Sequence, residues 1–198
     1  MKKLITLLLT SAVLLTTGCA SNLMKPAASE TIVSSDDKAT IVFMRNSFVA
    51  SAIGVEMFEV VDGKLEFIGS LPTGNKIAHK TSPGKKVYMA YGTAADFMIA
   101  DVRAGKTYYS IVRPNWGTGG FAPTPIRPTN SEYTMQSEDF AGWVKNTKLV
   151  ELKKAEAETW FAGKKEEYEK IYAEYWSRFE RKTPFEKSQR TLNPQDGV

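Results

Sequence analysis

The sequence predicts a mainly β protein, an antiparallel β-sandwich of about six to seven strands with a long C-terminal α-helical extension. Two observations support this fold class. Between residues 39 and 136, short runs rich in β-branched and aromatic residues alternate with turn residues. A helix start at Ser137-Glu138-Asp139 follows, and from Lys153 to Lys182 Ala, Glu, Lys and Arg dominate without a proline. We therefore assign residues 39–136 to the sandwich and 137–182 to the helical extension.

The strands are best defined where turn chemistry is specific. Thr40–Arg45 is apolar on both faces, which is typical of a central strand covered on both sides. Val55–Val61 and Lys64–Gly69 flank Asp62-Gly63, a dipeptide that favours a type I′ turn and therefore a hairpin. Further strands are predicted at Lys76–Lys80, Val87–Tyr91, Asp96–Val102 and Thr107–Arg113, and another at Glu132–Met135.

The N-terminal segment is predicted to direct export. A positive start, Met1-Lys2-Lys3, followed by an apolar run is typical of a signal peptide, here over residues 1–18. A membrane-spanning helix is the poorer interpretation, because the run is too short to cross a bilayer. Cys19, the only cysteine, follows a stretch, Leu14-Leu15-Thr16-Thr17-Gly18, that resembles a bacterial lipoprotein processing site. The resemblance implies that Cys19 becomes the first mature residue and carries diacylglycerol plus an amide-linked fatty acid such as palmitate. Residues 19–38 are then predicted to be a lipidated, flexible tether.

The processing site departs from the commonest pattern at Thr16, where leucine is usual. The alternative is cleavage after Ala20, which would give a soluble periplasmic protein. By resemblance to such lipoproteins, Ala20 and Ser21 in place of an aspartate favour the outer membrane, with the domain facing the periplasm. The net charge of +4 falls to +2 once Lys2 and Lys3 leave with the signal peptide, which argues against a nucleic-acid partner.

Four stretches resemble an uncharacterised family of small bacterial lipoproteins with a single β domain, described only as a domain of unknown function. They are Ala39–Arg45, Ile68–Pro72, Ser82–Lys85 and Ala104–Tyr109. The likeness covers residues from roughly 38 to 150. It consists of turn and strand motifs, so it implies a fold and carries no catalytic residues.

A long irregular loop is predicted from Pro114 to Pro128. Trp116 and Phe121 lie there among glycines and polar residues, and loops of this length are often functional. Both aromatics are therefore candidate contacts for a glycan or a protein partner. The alternative is that they cover the open end of the sandwich.

An aromatic stripe runs along the predicted C-terminal helix, which would form a rod ~45 Å long. Its spacing places Phe161, Tyr168, Tyr172, Tyr175 and Phe179 on one face. Three interpretations stay open: packing against the β domain, self-association or docking on a partner, and contact with a membrane surface. The last four residues of the stripe are candidate contact residues. Residues 183–198 are polar and are predicted to be disordered.

Few residues suggest chemistry. His79, the only histidine, lies on the predicted strand Lys76–Lys80 without metal-ligating neighbours in sequence. No nucleophile motif is present, and Asp96 and Asp101 would point to opposite faces of one strand. We therefore expect no cofactor, no metal and no catalytic activity. The predicted function is a membrane-anchored interaction or structural module that binds an unidentified envelope protein, and the alternative is a glycan or small-ligand binder that uses Trp116 and Phe121.

Overall fold

The computed structural model describes residues 20–129 and 131–198, which form eleven strands and four α-helices. The strands are β1 (Met24–Pro26), β2 (Ala39–Arg45), β3 (Glu56–Val61), β4 (Lys64–Ser70), β5 (Asn75–Thr81), β6 (Gly84–Tyr91), β7 (Ala95–Val102), β8 (Thr107–Asn115), β9 (Gly120–Ile126), β10 (Lys148–Leu152) and β11 (Thr191–Leu192). The helices are α1 (Glu138–Asn146), α2 (Lys154–Ala162), α3 (Lys165–Glu180) and α4 (Pro184–Ser188). Short 3-10 turns lie at Ala20–Leu23 and Pro194–Asp196.

The strands form two mixed sheets. The first has six strands in the order β1-β10-β5-β2-β8-β9, and the second has five in the order β11-β7-β6-β3-β4. The pairs β2–β8, β10–β5 and β11–β7 are parallel, so the expectation of a purely antiparallel arrangement is wrong. Between β2 and β8 the chain forms β3 and β4 in the second sheet, β5 in the first, and β6 and β7 in the second. A long connection of this kind permits parallel pairing of β2 with β8.

The two sheets face each other across a shared apolar core. Phe43 of β2 meets Tyr88 of β6 edge-to-face, with ring centroids 5.2 Å apart. Every residue of β2 is buried, as expected for a strand covered on both sides. Its second face is covered by α1, which packs Phe140 and Trp143 against Val42. The prediction of a buried central strand is therefore confirmed.

The C-terminal helices form a layer on the outer face of the second sheet. The chain does not continue as one rod, because α2 ends at Ala162 and α3 begins at Lys165, with Gly163 at the break. Phe97 of β7 packs against Trp176 and Phe179 of α3, with centroid distances of 5.1 and 5.5 Å. The aromatic stripe thus belongs to the interior of the domain, and the helices are an integral layer rather than an extension.

The segment before β2 is bound to the domain, which corrects the prediction of a flexible tether over residues 19–38. Strand β1 pairs antiparallel with β10, and the amide of Lys153 donates to the carbonyl of Leu23 (2.8 Å). Leu23 is buried beside Ala157 and Trp160. Polar composition suggested a linker, but these few apolar and backbone contacts fix the segment. Cys19 and the signal peptide lie outside the described residues.

The C-terminal residues 183–198 are ordered, which corrects the prediction of a disordered tail. Thr183 and Glu186 form a capping box that starts α4. Leu192 on β11 is fully buried in the intersheet core. Arg127 donates to the carbonyls of Ser188 (2.6 Å) and Thr191 (2.7 Å), so long-range contacts supply the order that the local composition lacks.

Two local predictions hold and two fail. Asp62 and Gly63 both have positive φ (50° and 73°), as a type I′ turn between β3 and β4 requires. Ser137 caps α1 by accepting from the amide of Phe140 (3.1 Å). The predicted loop over 114–128 is instead mostly the β8–β9 hairpin, and the strand expected at Glu132–Met135 is replaced by an isolated bridge from Thr134 to Arg127.

Candidate functional site

One end of the two-sheet core is built from loops that expose large apolar side chains. We call it the apical end: the loop 46–54 after β2, the turn 92–94 between β6 and β7, and the turn 116–119 between β8 and β9. Strands β2 and β8 are parallel neighbours, so both finish at this end. Thr93 donates to the carbonyl of Gly119 (2.5 Å), which joins two of the three loops.

Arg45, the last residue of β2, holds the loop 46–54. Its guanidinium donates to the carbonyls of Ile53 (2.6 Å), Leu71 (2.9 Å) and Ala50 (2.8 Å), and lies 4.4 Å from the ring centroid of Phe121. Burial lowers the pKa of Arg45 to about 10, so the group stays charged at neutral pH. Carbonyl dipoles and the aromatic ring compensate this buried charge. The same bonds fix the loop 46–54 at Ala50 and Ile53 and tie it to Leu71, which follows β4.

This fixed loop presents Phe48 to solvent. Phe48 is 90% exposed and its neighbour Val49 is 47% exposed. Ala50, which follows, has a φ of +53°, a conformation that costs a non-glycine residue energy and that the Arg45 contact stabilises. The loop is therefore held in a strained, apolar-outward shape.

The β8–β9 turn presents Trp116, which is 80% exposed. Its base is held by Asn115, whose side chain donates to the buried carboxylate of Asp96 (2.7 Å) and accepts from the amide of Gly117 (3.2 Å). Asp96 in turn pairs with Arg190 (3.0 Å) from the C-terminal segment. The buried Asp96 carboxylate thus supports the turn from within the core.

The apical end carries the two most exposed large apolar side chains of the described residues, Phe48 and Trp116. Single exposed apolar residues are common and need no explanation. Here the two aromatics lie on loops that follow neighbouring strands, and a buried ionic group holds each loop. This arrangement is typical of a preformed contact surface. Sequence analysis identified Trp116, but Phe48 was missed because its loop lacks any motif.

Phe121 is not a surface residue. It is 2% exposed, lies on β9 and packs under Arg45, so the prediction of a contact role for Phe121 is wrong. Its backbone belongs to a ladder strand, and an alternating strand directs this side chain into the core. Trp116 therefore loses the stacking partner that the glycan interpretation required.

The four predicted contact residues of the helical stripe pack within the chain. Tyr168 and Phe179 are buried, and Tyr172 and Tyr175 are partly buried against the same cluster. Of the three interpretations, packing against the β domain is the one that the structure bears out. The contact role assigned to Tyr168 and Phe179 is wrong because the second sheet already covers them.

A polar cluster crosses between the sheets at His79. Its Nε2 lies 2.5 Å from Glu59 Oε2, while Thr81 donates to Glu59 Oε1 (2.9 Å) and Lys86 lies 3.5 Å from the same oxygen. Burial alone would raise the pKa of Glu59, but the hydrogen bonds from His79 and Thr81 and the charge of Lys86 lower it below its ordinary value. Because β3 and β5 belong to different sheets, nothing in the sequence indicated this pair.

The Glu59 cluster is arranged as a tie between sheets. Both carboxylate oxygens are occupied by His79, Thr81 and Lys86, which satisfies a buried anion.

Within residues 20–129 and 131–198, no group of three or more His, Cys, Asp or Glu side chains is placed to hold a metal ion. In the same ranges, no helix combines the length and apolar character needed to cross a bilayer.

Comparison of the chain with protein-family models and with curated proteins gave no match. The resemblance to small bacterial lipoproteins therefore stays a prediction.

Proposed function

We propose that this protein is an outer-membrane lipoprotein, anchored through Cys19, that binds another envelope protein through its apical end without catalysing a reaction. The observation that carries the proposal is the pair of exposed aromatics, Phe48 and Trp116, on loops fixed by Arg45 and Asp96. Aromatic anchors on a rigid scaffold bind with little loss of conformational entropy.

The support for protein rather than glycan binding comes from the shape of this surface. Small ligands favour concave sites, whereas Phe121 is buried and Phe48 and Trp116 project from loops into solvent. Projecting apolar tips fit pockets on a partner. The expected partner is therefore a protein with an apolar recess.

Site-specific photo-cross-linking in intact cells tests the proposal. A photoreactive amino acid replaces Phe48 or Trp116, and the matched control replaces Phe185, an aromatic on α4 that is also well exposed (72%). We expect positions 48 and 116 to cross-link to the same protein and position 185 to give no such product. The double variant Phe48→Ser/Trp116→Ser should lose stoichiometric co-purification of that protein while keeping its melting temperature.

The proposal fails if the control position gives the same products, or if the double variant retains the partner. The anchor is tested separately by mass spectrometry of the purified mature chain. We expect it to begin at Cys19 with diacylglycerol and an amide-linked fatty acid. A chain that begins at Ser21 without acyl groups would refute the anchor and restore the soluble alternative.

A further inference from the structure

The folded domain begins almost at the predicted lipid attachment point. Residues 22–27 are held to β10: Lys153 donates through its amide to the Leu23 carbonyl (2.8 Å) and through Nζ to the Asn22 carbonyl (2.9 Å). Lys25 pairs with Glu151 (3.0 Å), and the amide of Ala27 donates to the Leu149 carbonyl (3.0 Å). The start of the mature chain is therefore a structural part of the domain.

This leaves little freedom between domain and lipid. Leu23 is four residues after Cys19, and four fully extended residues reach at most ~14 Å. That distance is about half the thickness of a bilayer's hydrocarbon core. A domain attached so closely cannot move away from the membrane, and the surface around Leu23 must lie beside it.

The surface around Leu23 has the character of a membrane-contacting face. An open groove of about 400 Å³ lies between β4 and α2. It is lined by Leu65, Phe67, Leu152, Ala157 and Phe161, with Glu66, Lys154 and Glu158 at its rim. Phe67, Leu152 and Ala157 also pack against Leu23, so the groove is continuous with the anchor-proximal segment.

The charged residues at this face are of both signs, and three of them are lysines near the anchor-proximal segment. Lys25, Lys153 and Lys154 line an adjoining open groove, and two acidic residues, Glu151 and Glu156, share it. Lys25 and Glu151 neutralise each other, which leaves Lys153, Lys154 and Glu156 in this groove. Lysines beside an exposed apolar groove match the boundary between headgroups and acyl chains.

We propose that the face formed by residues 22–25, β10, α2 and β4, which we call the anchor face, lies on the lipid bilayer that holds Cys19 and fixes the domain in one orientation. The inference rests on the lipid anchor of the proposed function. It assigns a phospholipid surface as the occupant of the β4–α2 groove.

Fluorescence quenching in liposomes tests the anchor face. Because Cys19 is the only cysteine and its thiol carries lipid, an introduced cysteine is the only free thiol for labelling. The full acylated chain is labelled at Glu66→Cys or Lys154→Cys on the anchor face. The control is Gln189→Cys, an exposed position after α4 at the opposite edge of the first sheet, beside β9. Each is reconstituted into phosphatidylethanolamine–phosphatidylglycerol liposomes that carry a headgroup nitroxide.

We expect loss of fluorescence at positions 66 and 154 and none at 189. Equal quenching at all three positions, or none at any, in protein whose mass includes the acyl groups would overturn the inference and leave the anchor intact. A mass without acyl groups would overturn both.

A spacer variant identifies the cause. Inserting a flexible Gly-Ser segment of about ten residues between Ser21 and Asn22 gives the domain an added reach of roughly 17 Å. We expect the difference in quenching between positions 154 and 189 to disappear while the protein still floats with the liposomes. A difference that persists with the spacer would show that the face binds lipid without needing the short connection, which would overturn the role assigned to the tether length.

Discussion

Glu56 gives the sharpest test of the helix–sheet packing. It opens β3 opposite Tyr91 of β6, on the sheet face that α3 covers, and Tyr91 meets Tyr168 of α3 at 5.7 Å. Burial raises the pKa of Glu56 to about 7, against the opposing charges of Lys164 and Arg45. The carboxyl is therefore protonated in the folded chain at a pH where it is ionised in the unfolded chain.

The magnitude follows from linkage. The pKa of Glu56 is 4.5 in the unfolded chain and about 7 in the folded chain, so the carboxyl loses its proton first in the unfolded chain. The free energy of unfolding therefore falls as the pH rises from 4.5 to 7. At about 1.4 kcal/mol for each tenfold change in proton affinity, the loss reaches about 3 kcal/mol above neutral pH. Glu56→Gln keeps the shape of the side chain and removes this penalty.

Urea unfolding followed by tryptophan fluorescence at about pH 5 and about pH 8.5 measures the effect. Glu56→Gln should be more stable than wild type by about 3 kcal/mol at the higher pH and by about 1 kcal/mol or less at the lower. The control, Glu158→Gln on the exposed side of α2, should follow the wild-type pH dependence. If wild type and Glu56→Gln give parallel curves, the carboxyl is not buried beneath α3 and the reasoning fails.

Three further predictions concern the core and the apical end. Arg45→Met leaves the carbonyls of Ala50, Ile53 and Leu71 without their donor, and should lower the free energy of unfolding by about 3 kcal/mol in a urea titration. An unchanged midpoint would mean that the loop 46–54 is held by other contacts. Gly120→Ala places a Cβ against the backbone carbonyl of Ala94 and should lower the melting temperature. The control Gly163→Ala should not, because the nearest atom to its Cβ would be 3.6 Å away. Equal effects would contradict the close approach at the apical turn. Because the pKa of Glu59 is lowered by folding, its stabilising contribution is complete above pH 4.5 and is lost as the pH falls through the folded pKa. Glu59→Gln should therefore lose less stability in acid than wild type. Identical acid titrations of the two proteins would rule out the tie between the sheets.

The hairpin turn and the helix cap were predicted correctly, whereas features that depend on long-range contacts were not. The Asp62-Gly63 turn and the Ser137 cap depend on neighbouring residues, so the sequence alone predicts them. Strand β9 was not predicted because it contains Pro123 and Pro125, and proline is usually excluded from strands. They are tolerated because β9 is the edge strand of its sheet, where one side of the backbone needs no partner.

One of the two exposed aromatic residues of the candidate site was predicted from the sequence. Trp116 was recognisable because aromatic residues among glycines suggest an exposed turn. Phe48 was not, since its exposure depends on Arg45 reaching back to the loop from the end of β2. The helical stripe was correctly periodic, but periodicity cannot say whether the chain's own sheet or a partner covers it, and here Phe97 and its neighbours do.

Residues 191–198 complete the core between the two sheets. Leu192 fills a fully buried position beside β7, and Val198 exchanges backbone hydrogen bonds with Thr107 of β8 (2.8 and 3.0 Å). Without this segment, β7 would lack its edge partner and the position of Leu192 in the core would be empty. Loss of this segment would therefore open the interior of the domain instead of only shortening a tail.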